Sequence, residues 1–278
     1  MRVHILGARG STPSPGAEFV RYGGHTSCLA LAHDGAPPTL VLDAGTGIRE
    51  VSPLLGQEPF RGTIMLTHLH WDHTQGLPFF RAGDHPEAAA HLYLPGQGPG
   101  TAAEDVLARA MSPPHFPIRP GQLRGSWRFH ALEPGEYDIE GFAVVAEEVQ
   151  HKGGRTFGYR VSDGTARLAY VPDHWPTSLG PGPEGLGEYP DALVCLARQV
   201  DIVFHDAQYT DEELPTRGSF GHSSVGYAFG LAVRARARQL VLFHHDPWRA
   251  DVELDALVAA YRCAPLPVAA AAGGMVLD

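Results

Sequence analysis

Residues 67–76 read THLHWDHTQG and place four potential metal ligands within six positions. The apolar run that precedes them is typical of the end of a buried strand. Because alternate residues of an extended chain point to the same side, His68 and His70 can bind one ion together. Asp72 and His73 follow as the chain turns and can face a second position. Imidazole and carboxylate groups suit zinc, iron or manganese, so the stretch predicts a metal site at a strand end.

Composition indicates an ordinary globular protein. The chain has 278 residues, of which 44% are hydrophobic and 19% charged, and this length suffices for a large core. The formal net charge of -10 argues against a protein that binds nucleic acid strongly through a broad basic surface. We predict one domain over residues 1–278, made of two halves at roughly 1–140 and 141–278.

Cysteine usage and hydropathy indicate the compartment. Cys28, Cys195 and Cys263 are widely spaced and form no Cys-x-x-Cys pair, so we expect no disulfide framework. The N-terminal apolar run soon meets glycine and proline, unlike a signal peptide, and no apolar run reaches membrane-spanning length. We therefore expect a soluble cytoplasmic protein with no membrane partner.

Short strands separated by Gly- and Pro-rich turns dominate the first half, and strands alternate with helices in the second. Strands are predicted at 3–6, 28–32, 39–42, 63–66, 91–94, 142–149, 156–171 (a hairpin), 201–204, 240–243 and 275–277. Helices are predicted at 101–111, 189–199, 223–238 and 249–262. Strands in both halves with helices outside fit an α/β fold, a four-layer αββα sandwich of two packed sheets. The pattern alone leaves other α/β arrangements open.

Two stretches rich in glycine or proline are predicted to be loops. Residues 176–190 predict a surface loop. Residues 112–121 contain His115 and Phe116, which either cover a site as a lid or pack within a Pro-rich connection.

The chain resembles the metallo-β-lactamase superfamily over nearly its whole length, because the motifs of that family occur in order. The His-x-His-x-Asp-His run resembles the hallmark of the family. His151, after FAVVAEEVQ, resembles the third ligand motif, and Asp173 in LAYVPDHW resembles the bridging aspartate. His244 in LVLFHHDP resembles the last histidine ligand, with the adjacent His245 as the alternative. Asp43 in LVLDAGTG resembles the buried aspartate near the ligand loop.

The resemblance implies an αββα sandwich of metallo-β-lactamase type that binds two divalent ions. Zinc is expected, and manganese or iron are alternatives. The implied ligands are His68, His70 and His151 for the first ion, Asp72, His73 and His244 for the second, and Asp173 between both. A water or hydroxide between the ions would be the nucleophile.

Departures from other branches narrow the chemistry. Asp173 stands where the zinc β-lactamases carry cysteine, which argues against antibiotic hydrolysis. His70 and His73 argue against the diiron branch, which replaces one of these histidines with a carboxylate. Thioesterases and lactonases of glyoxalase II type share the ligand set and stay open.

Two further segments, FHDAQ at 204–208 and GHSS at 221–224, resemble those of the transfer-RNA 3′-endonuclease and phosphoribosyl cyclic phosphodiesterase branch. There a histidine, oriented by a carboxylate, faces the scissile phosphate. The resemblance implies catalytic roles for His222 and Asp206, beside Asp72. Asp206 stands in place of a glutamate that is one methylene longer. Two serines after His222 also make a good helix N-cap, so a purely structural segment is the alternative.

The spacing between two motifs indicates the size of the substrate. Bacterial transfer-RNA endonucleases of this branch insert a long RNA-binding arm between the third histidine and the bridging aspartate. Here His151 and Asp173 are only 22 residues apart. We therefore expect a metal-dependent phosphodiesterase for a small or cyclic phosphodiester, with a homodimer as one expected assembly. The alternatives are a thioester or lactone hydrolase, a nuclease on RNA ends, and a non-catalytic metal-dependent phosphate sensor.

Overall fold

The computed structural model describes residues 1–56 and 58–278, which form two seven-stranded sheets. The strands are β1 (Arg2–Gly7), β2 (Cys28–Ala32), β3 (Leu40–Leu42), β4 (Arg61–Met65), β5 (Ala89–Pro95), β6 (Ser126–Leu132), β7 (Gly135–Ile139), β8 (Phe142–Val149), β9 (Thr156–Ser162), β10 (Arg167–Val171), β11 (Ile202–Asp206), β12 (Gln239–Phe243), β13 (Val268–Ala270) and β14 (Val276–Leu277). The α-helices are α1 (Val51–Leu54), α2 (Trp71–Thr74), α3 (Ala103–Ala108), α4 (Asp191–Leu196), α5 (Leu214–Arg217), α6 (Val225–Arg234) and α7 (Asp251–Ala260). Short 3-10 helices lie at Ala17–Phe19, Thr46–Glu50, Leu77–Phe79, Pro120–Gln122, Pro176–Leu179 and Gly218–Phe220.

Strand order explains why one edge of the molecule can carry a site. The first sheet runs β14-β1-β2-β3-β4-β5-β6 and the second β13-β12-β11-β10-β9-β8-β7. β3 and β4 are parallel, as are β10, β11 and β12. β8 is antiparallel to β9, and β9 to β10, so β8 points the same way as β10. Within each sheet, the carboxyl ends of these strands therefore meet at one edge.

The two sheets pack face to face through apolar side chains. Leu29 and Leu42 of the first sheet belong to the same buried cluster as Tyr159 and Phe204 of the second. The outer face of the first sheet packs against α3, and that of the second against α4, α6 and α7. This arrangement confirms the predicted αββα sandwich.

The predicted strands are all present, with ends displaced by at most two residues, but three further strands were not predicted. β6 and β7 follow one another and lie at the far edges of the two sheets, where alternate residues remain half-exposed. β13 is a short edge strand beside β12. The polar alternation of edge strands weakens the apolar signal on which sequence prediction relies.

The chain crosses between the sheets twice. The first sheet contains β1–β6 and the second β7–β13, so the chain passes to the second sheet between Leu132 and Gly135. The chain then returns, and β14 pairs with β1 in the first sheet. No helix within residues 1–56 and 58–278 has both the length and the apolar character to span a membrane.

Candidate metal centre

The edge where parallel strands end gathers the side chains that the sequence predicted as ligands. His68 lies three residues after the end of β4, and His151 and Asp173 each lie two residues after the ends of β8 and β10. His244 directly follows β12. Five groups of potential ligand atoms, each within 4.8 Å, result among the described residues, and two of them include His222, which is described below. The other three contain only the predicted ligands. They are His68, His70 and His151 (hereafter the first set), Asp72, His73 and His244 (the second set), and His68, His73 and Asp173.

The two oxygens of Asp173 face different sets. Oδ1 lies 3.5 Å from Nε2 of His151 and 3.9 Å from Nε2 of His68. Oδ2 lies 2.9 Å from Nε2 of His73 and 3.4 Å from Nε2 of His244. This carboxylate can therefore contribute one oxygen to each set.

Short distances also join the members within each set. In the first set, Nε2 of His151 lies 3.2 Å from Nδ1 of His70. In the second, Oδ2 of Asp72 lies 3.0 Å from Nε2 of His244 and 3.3 Å from Nε2 of His73. Asp72 and His73 are brought here by α2, which begins directly after His70.

Several ligand atoms are buried with no hydrogen-bond partner outside the cluster. Among the described residues, this holds for Nε2 of His68, Nε2 of His73 and Oδ2 of Asp173, and the last two lie 2.9 Å from each other. A buried polar atom without a partner is costly. Imidazole nitrogens and carboxylate oxygens that converge in this way suit divalent cations, so the donor set fits the metal ions that the family resemblance implies.

Carboxyl, amide and carbonyl oxygens orient the histidine rings from behind. Nδ1 of His73 donates to Oδ2 of Asp43 at 2.8 Å, and Nδ1 of His244 donates to Oε1 of Gln208 at 3.0 Å. Nδ1 of His151 donates to the carbonyl of Gly221 at 2.7 Å. Each bond occupies Nδ1 and leaves Nε2 to face the centre, as is usual for histidine ligands of metals.

Asp43 itself is held by the ligand loop and by the second sheet. Its carboxylate accepts hydrogen bonds from the backbone N–H of Thr67 at 2.7 Å and from the hydroxyl of Tyr170 at 2.9 Å. Sequence reasoning identified Asp43 but missed Tyr170, Gln208 and Gly221, because their contacts come from distant parts of the chain. Gln208 stands in the FHDAQ segment, and that position was its only sequence signal.

The protonation of the two sets differs. Burial lowers the pKa of His68 well below its ordinary value and that of His151 to about 4, so both rings are neutral. Burial also lowers the pKa of His244, but Asp173 and Asp72 outweigh this effect and raise it to about 9. In the same way, carboxylates led by Asp173 raise the pKa of His73 despite its burial. Without metal, the second set therefore retains protons that a cation would displace.

The structure pairs His222 with Asp206 beside these sets. Nδ1 of His222 donates to Oδ2 of Asp206 at 3.0 Å and lies 3.6 Å from Oδ1 of Asp173. The same Asp206 oxygen accepts the backbone N–H of His174 at 3.0 Å, so the shorter aspartate does reach the histidine. Ser224 caps α6 by accepting the N–H of Tyr227 at 3.3 Å, so the GHSS segment both caps a helix and presents a histidine.

An open pocket of about 350 Å³ gives access to this edge. Asp72, Asp173 and His222 line it, together with Ser11 and Trp71. The backbone N–H of Ser11 donates to Oδ2 of Asp72 at 2.7 Å. The pocket therefore brings a ligand from solvent to both metal-ligand sets and to the histidine–aspartate pair.

The neighbouring histidines lie outside the clusters. Nε2 of His245 bonds to the carbonyl of Ala271 at 2.8 Å, so the structure places His244, and not His245, in the second set. His174 is buried against Tyr227, with 5.3 Å between ring centroids.

The segment between His151 and Asp173 is fully accounted for by a hairpin. β9 and β10 fill it, and Oδ1 of Asp163 closes the turn by accepting the N–H groups of Thr165 and Ala166 at 2.9 Å each. No additional arm is inserted in residues 151–173, all of which the structure describes.

Comparison with known proteins relates this architecture to a family. The profile of the beta-lactamase superfamily domain matches residues 39–245. Ribonuclease Z of Natronomonas pharaonis is 24% identical over 290 residues, covering 88% of this chain and 86% of the relative. Ribonuclease Z of Exiguobacterium sibiricum is 26% identical over 296 residues, covering 91% of each protein. The crystal structure of the metallo-beta-lactamase fold protein YhfI from Bacillus subtilis superposes with a TM-score of 0.73 at 17% identity, covering 99% of this chain and 98% of YhfI.

Proposed function

Since this chain belongs to the beta-lactamase superfamily and carries the His/Asp clusters of a metal-dependent hydrolase, we propose that it hydrolyses phosphodiesters. One observation carries this proposal. Next to the metal-ligand sets, Asp206 holds Nδ1 of His222 at 3.0 Å, within the pocket that reaches Asp173. A histidine held by a carboxylate suits binding or protonation of a phosphoryl oxygen.

In this proposal the centre holds two divalent ions, with zinc as the expected metal. The first set and Oδ1 of Asp173 would bind one ion, and the second set and Oδ2 of Asp173 the other. Asp43, Gln208 and the Gly221 carbonyl would keep the histidine rings in the tautomer that leaves Nε2 free. Bound there, the ions would lower the pKa of water and stabilise charge on the phosphoryl oxygens.

His222 would act on the leaving group. When its ring carries both protons, Nδ1–H donates to Asp206 and Nε2–H is free to donate to a phosphoryl oxygen or the leaving alkoxide. Asp206 is a positioning residue, since it also accepts backbone N–H groups of His174 and Ser223. These bonds fix the carboxylate, and the carboxylate fixes the ring.

We favour a small or cyclic phosphodiester as the substrate. The β9–β10 hairpin is compact, and the net charge of -10 disfavours binding of RNA through an extended basic surface. The relatives named ribonuclease Z support the second candidate, the end of an RNA chain. A thioester or lactone substrate would give the His222–Asp206 pair no phosphoryl oxygen to contact. A homodimer of this chain stays a prediction.

A substrate panel tests the proposal. The zinc-loaded protein should hydrolyse cyclic nucleotides faster than an RNA with a 3′ trailer, and should leave S-lactoylglutathione intact. His222→Ala should lower the phosphodiester rate and retain the metal. Preferential cleavage of the RNA would show that the substrate is the end of an RNA chain and not a small phosphodiester. Turnover of the thioester alone would overturn the phosphodiesterase proposal.

A further inference from the structure

A second pocket lies beside the metal centre and has a different chemistry. It measures about 280 Å³, just below the ~300–1,000 Å³ of ligand pockets, and this volume suits one planar group rather than a whole ligand. Its apolar lining comes from three segments of the first half of the chain. Beside Ala110, the apolar residues are Trp71, Pro78, Phe79, Leu107, Met111 and Phe116.

Trp71 links this apolar pocket to the metal centre. It lines both pockets, and in sequence it stands between the predicted ligands His70 and Asp72. Its side chain is 76% exposed, although tryptophan carries the largest apolar surface of any residue. An indole held at this place and left open to solvent is suited to stacking against a ligand.

The other walls also favour a flat aromatic group. Phe79 is 62% exposed and meets Phe116 edge to face, with 5.9 Å between ring centroids. Gln75 and Thr74 complete the lining. The Gln75 amide offers both a donor and an acceptor, as the edge of a nucleobase requires. Aromatic walls with an amide at the rim are a common way to bind an unstacked base.

We propose that the apolar pocket is a nucleobase subsite, and that the substrate of the metal centre is therefore a nucleotide phosphodiester. This inference rests on the proposed function, because it requires the phosphate at the metal-ligand sets. With the phosphate there, the base stacks on Trp71, against the wall that Phe79 and Phe116 form together. The ribose lies beside Trp71, between the phosphate at the metal-ligand sets and the base in the apolar pocket.

Equilibrium binding tests the subsite without relying on turnover. Adenosine 5′-monophosphate and ribose 5-phosphate would be titrated into the zinc-loaded protein by calorimetry. The nucleotide should bind about 10-fold or more tightly than the sugar phosphate, the range expected for stacking of one base. Trp71→Ala should remove this preference at unchanged metal content, and Trp71→Phe should restore part of it.

Trp248→Ala is the matched control. Trp248 is 82% exposed and lines neither pocket, so the preference for the nucleotide should survive its removal. Equal affinities of wild-type protein for the two ligands, or a preference that survives Trp71→Ala, would overturn the subsite. Failure of the phosphodiesterase proposal would look different, as a retained nucleotide preference without hydrolysis of any phosphodiester.

Discussion

The two metal-ligand sets share Asp173 but differ in charge and burial. The first set contains three imidazoles, and His70 and His151 are only partly buried. The second set contains a carboxylate, and all of its members are buried. Burial keeps the first set neutral, whereas the carboxylates around the second set hold protons on its histidines. The same edge of the fold therefore carries two metal positions. Both should bind the same metal, but they should release different numbers of protons when they do so.

The groups that orient the histidine rings also differ between the two sets. Side chains, Asp43 and Gln208, orient the two histidines of the second set. In the first set, a backbone carbonyl, that of Gly221, orients His151. Asp43 also holds Thr67, whose hydroxyl lies 3.2 Å from Nδ1 of His68 in the first set. Substitution of Gln208 can therefore weaken the second set without touching the first, and this asymmetry makes the comparison testable.

The largest effect is expected from Asp173→Ala, which removes an oxygen from both sets. At least one ion should be lost, and hydrolysis of a phosphodiester should fall below detection, because the ions supply the nucleophile and stabilise charge. Mass spectrometry of bound metal and an activity assay check this, and circular dichroism verifies the fold. Full metal content in the variant would show that Asp173 is not a shared ligand.

His222→Ala should separate catalysis from metal binding. We expect the rate to fall on the order of 10²-fold or more, the usual contribution of a general acid, while both ions remain bound. Asp206→Asn should lower the rate less and change its pH profile, because in this proposal Asp206 positions His222 and does not contact the substrate. Wild-type rates in His222→Ala would show that the GHSS segment is only a helix cap.

Gln208→Ala should weaken the binding of one ion and leave the binding of the other unchanged. Loss of the bond that orients His244 is expected to lower the affinity of the second set by about 10–100-fold, as for other partners of metal-binding histidines. Gln239→Ala, at the opposite end of β12, is the control. Stepwise metal titration measures both affinities, and an equal loss at both would contradict independent orientation.

The last effect, of about tenfold per pH unit, concerns the pH dependence of metal binding. The pKa of His244 is raised to about 9 from an ordinary 6.5, so its proton is present at pH 7 and must leave when metal binds. Apparent affinity of the second set should therefore rise with pH up to about 9, by about tenfold per unit for each proton displaced.

The first set provides the internal comparison for this pH effect. With the pKa of His151 at about 4, His151 should have no proton to release above pH 6. Calorimetry in buffers of different ionisation enthalpy counts the protons released at each step. Proton release of equal size at both steps would contradict the difference in protonation.

Local patterns predicted the strands and the first ligand motif, and the family resemblance implied the sandwich of two sheets and the later ligands. Buried strands give apolar runs, and each ligand follows such a run within a few residues, as His68 and His151 do. The position of β14 in the first sheet could not be predicted, since it depends on pairing with β1 from the opposite end of the chain. The contacts of Gln208 with His244 and of Tyr170 with Asp43 were hidden for the same reason.

The choice between His244 and His245 shows a second limit. Side chains alternate along a strand, so the end of β12 predicts which of the two faces the site only if the strand continues regularly. His244 instead adopts a left-handed backbone with φ of 57°, as does Asp43 with φ of 63°. Such conformations are uncommon for residues other than glycine, and residue patterns do not reveal them.

The most direct test of the account is hydrolysis of bis(p-nitrophenyl) phosphate, with bound metal counted in the same samples. Protein reloaded with zinc or manganese should bind two ions per chain and turn over the substrate. Chelation of the metal and the Asp173→Ala substitution should each abolish turnover. Protein that holds two ions and hydrolyses no phosphodiester with either metal would contradict the account.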